Sequence, residues 1–153
     1  MSNPINIKDS LYNYCIQYVE ERIERIKNEI DLHQSSANEE TKSSAGDKYE
    51  TGRAMAQLEI ERNSVQLREA EKLKSILNSI VPATVTDNIA PGSLITTSRG
   101  IFYIAISIGA VTLGQQTYFV ISADSPVGKL LLGKKAGQEI AWRNETYRID
   151  SVE

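Results

Sequence analysis

From residue 10 to about residue 34 the apolar positions fall at alternating spacings of four and three: Tyr12, Ile16, Val19, Ile23, Ile26, Ile30 and His33. That is the a/d stripe of a coiled coil, and Glu20, Glu21, Glu24 and Lys27 lie off it. Asp9 or Ser10 stands where an N-cap belongs. A second helical pattern runs from about residue 47 to 80, with no proline before Pro82. Its apolar positions are Ala54, Met55, Leu58, Val65, Leu73, Ile76 and Ile80, a sparser set than in the first. Between the two, SSANEETKSSAG at 35–46 is rich in Ser and Ala and ends in glycine, which predicts a turn. Two helices joined in this way fold back as an antiparallel hairpin. A seam one stripe wide leaves such a hairpin dependent on a base.

After Pro82 the period changes. Punctuation such as APGS, SRG, IGA, LGQQ and DSP separates β-branched and aromatic runs: SLITT, IFYIAISI, QTYFVIS, EIAW and TYRIDSV. These predict five or six short strands, with one short helix over SPVGKLLLG. In the last pair Ile140 and Trp142 are expected to answer Tyr147 and Ile149 across an Arg143-Asn144-Glu145 turn. The fold class is therefore α+β: a helical hairpin over 1–82, with an acidic tip near 35–50, then a small antiparallel β domain over 83–153.

Composition narrows the function classes. The chain has 153 residues, 41% of them hydrophobic, enough for one domain or two small ones. A net charge of −3 disfavours a general nucleic-acid coat, and no sequence-specific DNA binding is expected. Residues 83–153 are neutral, with six acids and six bases. Residues 35–50 carry Glu39, Glu40, Asp47 and Glu50 against Lys42 and Lys48, so the tip is negative. The single cysteine, Cys15, excludes an internal disulfide and suits a reducing compartment. The N-terminus lacks a signal-peptide pattern, and no apolar run approaches the ~20 residues of a membrane span. The expectation is a soluble, cytoplasmic protein without membrane contact.

The candidate chemistry is unevenly spread. Cys15 and His33 could form a thiol–imidazole pair in principle, but on one helix they stand about 27 Å apart, which excludes it. His33 then reads as a tolerated polar seam residue and Cys15 as a small packing residue. GKLLLGKK at 128–135 nearly spells a phosphate-binding loop, but Lys135 stands where a hydroxyl would bind magnesium and the spacer is bulky and apolar. A short helix capped by Gly133 is the better reading. Asp47 and Glu50, in SSAGDKYETGR, could simply favour the start of a helix. Three apart on one face, they could also share a divalent cation. Two carboxylates fill an octahedral site poorly, so further ligands would have to come from a partner.

GDKYE ahead of a long helix resembles the hairpin tip of the bacterial Gre transcript-cleavage factors, which carries Gly-Asp-x-x-Glu. SPVGKLLLGKKAGQEI resembles the Ser-Pro…Leu-Gly-Lys…Gly-Asp stretch of their FKBP-like C-terminal domain, and chain length and order of the halves agree. The resemblance implies docking at the rim of the RNA polymerase secondary channel, with the hairpin reaching the catalytic centre. It implies that Asp47 and Glu50 help hold a second magnesium there, in trans, while the polymerase hydrolyses the 3′ end of a backtracked transcript. The chain would be an accessory factor, not itself an enzyme, with no cofactor of its own. Between the acids it has Lys48 and Tyr49 where the family usually has Leu-Ser, and Thr51 follows in place of Asn. Relatives that occupy the same channel without cleavage supply an alternative reading. A third is an FKBP-like prolyl isomerase whose pocket would draw on Phe102, Tyr103, Tyr118, Phe119, Trp142 and Tyr147.

Overall fold

A computed structural model describes residues 4–42, 46–81 and 86–153, with side-chain surroundings for 7–36, 38, 51–81 and 86–153. Two long helices lead: α1 spans Pro4–Lys42 and α2 spans Gly46–Asn78. Helix α1 is longer at both ends than its apolar stripe. Proline fits the first turn of a helix, where its missing N–H would have no intrahelical partner. Asp9 and Ser10 are consequently interior positions and not caps. The Ser/Ala-rich stretch expected to turn is helical through Lys42, because no Gly or Pro interrupts it before Gly46 and its Ala, Glu and Lys favour helix. The connection narrows to residues 43–45, which lie outside the described residues.

By contacts the chain divides into two units, residues 17–75 and residues 1–16 with 76–153. In the first, Val19 and Ile26 of α1 are buried, with Ile23, Ile30 and His33 half-buried, as the stripe predicts. On α2 the seam is not the one the apolar residues suggest. Ala54, Met55, Leu58 and Val65 are exposed, and the buried positions are Ala56, Asn63 and Ala70, each seven after the last. Small residues let two helices approach closely, so size and not hydropathy selects this face. His33 and Ala56 line a common groove. One heptad further along each antiparallel helix, Ile26 comes level with Asn63, and one more brings Val19 level with Ala70.

The second unit holds six strands and a short helix: β1 Leu94–Thr97, β2 Gly100–Ala105, β3 Gly109–Leu113, β4 Gln116–Ser122, α3 Pro126–Leu131, β5 Glu139–Trp142 and β6 Glu145–Val152. Their order is β3-β4-β2-β1-β6-β5. Neighbours are antiparallel except β2 and β4, which run parallel because the intervening strand in sequence, β3, lies at the sheet edge beyond β4. Strand β3 sits where the sequence reads as punctuation. Its Val111–Leu113 alternation is short and bracketed by Gly109 and Gly114, both at positive φ.

The β5–β6 turn is tighter than expected. Arg143 and Asn144, at φ 50° and 65°, form a two-residue type I′ connection, which puts Glu145 in the strand. Trp142 therefore pairs with Glu145, while Ile140 faces Tyr147.

Alternation gives the sheet two faces. One carries Ile95, Phe102, Ile104 and Ile149, packed with Ile89, Ile140 and Leu131 of α3. The other carries Tyr103 and Tyr118, both buried, with Cys15 and Tyr12 of α1 close to the Tyr103 hydroxyl. The first turns of α1 and the end of α2 thus belong to the sheet unit. Tyr12 Oη donates to the Leu77 carbonyl at 2.9 Å, joining the two helix ends there.

Candidate functional site

Asp47 and Glu50 occupy the first turn of α2, where three-residue spacing puts both on one helix face. Their side chains, with those of Lys48, Tyr49, Glu39, Glu40 and Lys42, lie outside the described residues. The next turn presents Thr51, Ala54, Met55 and Leu58 around a shallow groove of ≈ 430 Å³, with Met55 66% exposed. The acids therefore precede an apolar helix surface. Free amides at a helix N-terminus and the helix dipole favour anions there. A cation beside Asp47 and Glu50 would thus depend on additional carboxylates from a partner. Among the described residues no three His, Cys, Asp or Glu side chains stand close enough to hold a metal ion.

The remaining candidates resolve into structural roles. Cys15 is fully buried, and burial pushes its thiol up to about 12, so it is not a nucleophile at neutral pH. His33 is half-buried at the edge of the seam, in a groove of ≈ 380 Å³ bordered by Met55, Leu58 and the Arg62–Glu59 ion pair at 2.7 Å. Neither approaches the other, as helical rise demands.

The segment resembling a phosphate loop is helix α3. Ser125, extended at φ −67° and ψ 158°, caps it by accepting from the Gly128 amide at 3.0 Å. Pro126 follows in the first turn, and Gly133 at φ 80° ends it. The Gly128 amide is committed to that cap and does not face a ligand. A Cβ on Gly128 would collide with the Ser122 carbonyl oxygen, which explains the glycine without phosphate.

The six aromatics do not converge on one pocket. Phe102 meets Phe119 at 5.6 Å and Tyr147 at 6.1 Å between ring centroids. Register places Phe102 and Phe119 side by side on one face and Tyr103 and Tyr118 on the other. Arg99 lies over Tyr147, and Arg143 over Trp142 at 5.0 Å. A groove of ≈ 570 Å³ opens beside Tyr118 between Ile7 and Ser10 of α1 and the Gln115–Gln116 turn. Its lining offers amides, hydroxyls and apolar surface, with no carboxylate, amine or imidazole.

Lys8 and Asn63 carried no sequence signal, and Tyr103 carried one only as a pocket aromatic. Tyr103 has a buried hydroxyl without a hydrogen-bond partner, and burial, reinforced by Cys15, Tyr12 and Asp9, raises its pKa. Lys8 is 5% exposed; burial lowers its pKa, opposed by Glu153 and Asp9. Asn63 sits in the hairpin seam, where an apolar stripe is the prior expectation. Among the described residues no helix is long and apolar enough to cross a membrane. In comparisons with known proteins, no family model matches the chain and no curated protein matches it.

Proposed function

We propose that this chain is a Gre-like transcription factor. In this reading its hairpin enters the RNA polymerase secondary channel and promotes cleavage of backtracked transcripts through Asp47 and Glu50. One observation carries the reading: an antiparallel helical hairpin whose second helix opens on Gly46-Asp47-Lys48-Tyr49-Glu50, attached to a small β unit containing the SPVGKLLLG helix. The acids stand at one end of the 33-residue helix α2, while Leu77 near its other end is buried in the sheet unit.

The chemistry asked of the chain is modest. Asp47 and Glu50 would contribute oxygen ligands from one helix face, leaving the polymerase to supply the others. A shared magnesium would activate water and offset charge at the phosphodiester, as in two-metal hydrolysis. The helix N-terminus disfavours a cation in the free protein, so binding is confined to the complex. Lys48 and Tyr49 favour a second reading, in which the hairpin occupies the channel and regulates the polymerase without cleavage.

The test is transcript cleavage in a stalled, backtracked elongation complex under magnesium titration, comparing wild type with Asp47→Ala and Glu50→Ala. Shortened RNA with wild type, lost in either variant while polymerase binding persists, supports the cleavage reading. Binding without shortening by wild type transfers support to the regulator. Absence of polymerase binding overturns both.

A further inference from the structure

Asn63 is 5% exposed, and its Nδ2 amide has no hydrogen-bond partner. It takes one position in the strict seven-residue repeat Ala56, Asn63, Ala70, and counting one heptad along each helix from the groove that His33 and Ala56 share brings it level with Ile26. One residue on, Ser64 Oγ donates back to the Ile60 carbonyl at 2.8 Å, a bond that weakens and bends helices. Two independent features thus weaken α2 over 60–64.

Burial within residues 17–75 is distributed around this level. Val19 and Ala70 are buried on one side, Ile26 and Asn63 at it, and Ala56 on the side toward residues 43–45. On that outer side Ile30, His33 and Ile60 are only half-buried, and Leu32, Met55 and Leu58 are 68%, 66% and 50% exposed. An alanine methyl is a small contribution to holding two helices together. Segments with few buried apolar contacts open with the lowest free energies.

We propose that the Asn63 layer is a built-in weak point. There the outer part of the hairpin, residues 28–36 with 51–62, opens as a unit while 17–25 and 65–75 stay paired. On opening, Nδ2 reaches water and the cost of its unpartnered burial is relieved, which lowers the free energy of that step specifically. The inference rests on the seam alone and stands apart from the functional reading above.

Native-state amide exchange on the full chain, followed by mass spectrometry, tests it. In wild type, peptides from 28–36 and 51–62 should exchange at least about tenfold faster than those from 17–25 and 65–75, allowing for intrinsic rates. Asn63→Leu, close in volume and without the amide, should slow the outer peptides about tenfold, or roughly 1.4 kcal/mol, and leave 94–152 unchanged. Ser64→Ala should act in the same direction and less. Uniform exchange through the hairpin in wild type overturns the proposal, and needs no variant to fold. So does an Asn63→Leu protein whose outer peptides exchange unchanged or faster, since the amide would then be stabilising the seam.

Discussion

The Tyr12 hydroxyl donates a 2.9 Å hydrogen bond to the carbonyl of Leu77. It joins the early turns of α1 to the last turn of α2, where helix carbonyls lack intrahelical donors. The Leu77 carbonyl also accepts from the Ile80 amide at 3.1 Å, so it is not orphaned when Tyr12 is changed. Tyr12→Phe should therefore cost about 0.5–1 kcal/mol, the range of a net hydrogen bond without a stranded partner. Thermal melts of the two proteins measure it; a loss above about 2 kcal/mol would show that the hydroxyl also supports the buried group around Tyr103.

Gly128→Ala makes a sharper case. The new methyl would run into the Ser122 carbonyl oxygen and the Ser125 side chain, and backbone cannot yield as a flexible side chain can. Displacing α3 would loosen Leu131, fully buried in the core with Ile104 and Ile149. The expected loss is about 2–4 kcal/mol, in the range of overpacked cores. Ser125→Ala, which removes the cap and spares the packing, should cost about 1 kcal/mol. Denaturant unfolding of both variants checks the order, and a reversal would mean that the cap and not the close approach holds α3.

These residues mark what was legible in the sequence. The α1 stripe from Val19 to His33, five of the six strands and α3 follow from periodicity and from Ser-Pro and Gly punctuation, and they appear where those signals put them. The α2 seam was illegible because its buried heptad is two alanines and an asparagine, Ala56, Asn63 and Ala70, while the conspicuous Met55 and Leu58 are exposed. Strand β3 hid because a five-residue strand between two glycines resembles a loop. Parallel pairing of β2 with β4 is a long-range choice that neither strand encodes alone. Of the candidate site, the order of residues and their place on α2 could be read directly. Cys15 was legible as a packing residue and is one, but the seam shift that makes it and Leu11 the fully buried pair, next to the stripe positions Tyr12 and Ile16, was not.

Burial of Cys15 and Tyr103 has a consequence at alkaline pH. Cys15 ionises at about 12 in the fold against 9.0 ordinarily, and Tyr103 is likewise raised from 10.0. Groups that ionise more easily when unfolded stabilise the fold below their ordinary values, and that contribution fades as pH climbs through the folded ones. Stability should thus fall from about pH 9 upward, by at most about 4 kcal/mol from Cys15, at about 1.4 kcal/mol per unit. Lys8, lowered by burial, works in the opposite sense, gaining stability as pH rises toward 10.5. Denaturant midpoints between pH 7 and 11 should decline for wild type and decline less for Cys15→Val. An identical decline would mean that the thiol is not the group being titrated.

Lys48 offers the most direct examination of the proposed site. It stands one residue after Asp47 and two before Glu50, and residues at those spacings do not share a helix face. Spacing thus puts it off the face that the two acids share, and its charge is expected to oppose a cation there by no more than about 1 kcal/mol. Lys48→Ala should lower the magnesium concentration for half-maximal transcript cleavage about two- to fivefold while leaving the maximal rate similar. A tip that supports cleavage only weakly because of Lys48 would respond in this way. Loss of cleavage in Lys48→Ala would reverse the assignment: the lysine would then be meeting phosphate oxygens of the transcript, and its place between two acids would serve the RNA instead of hindering the metal.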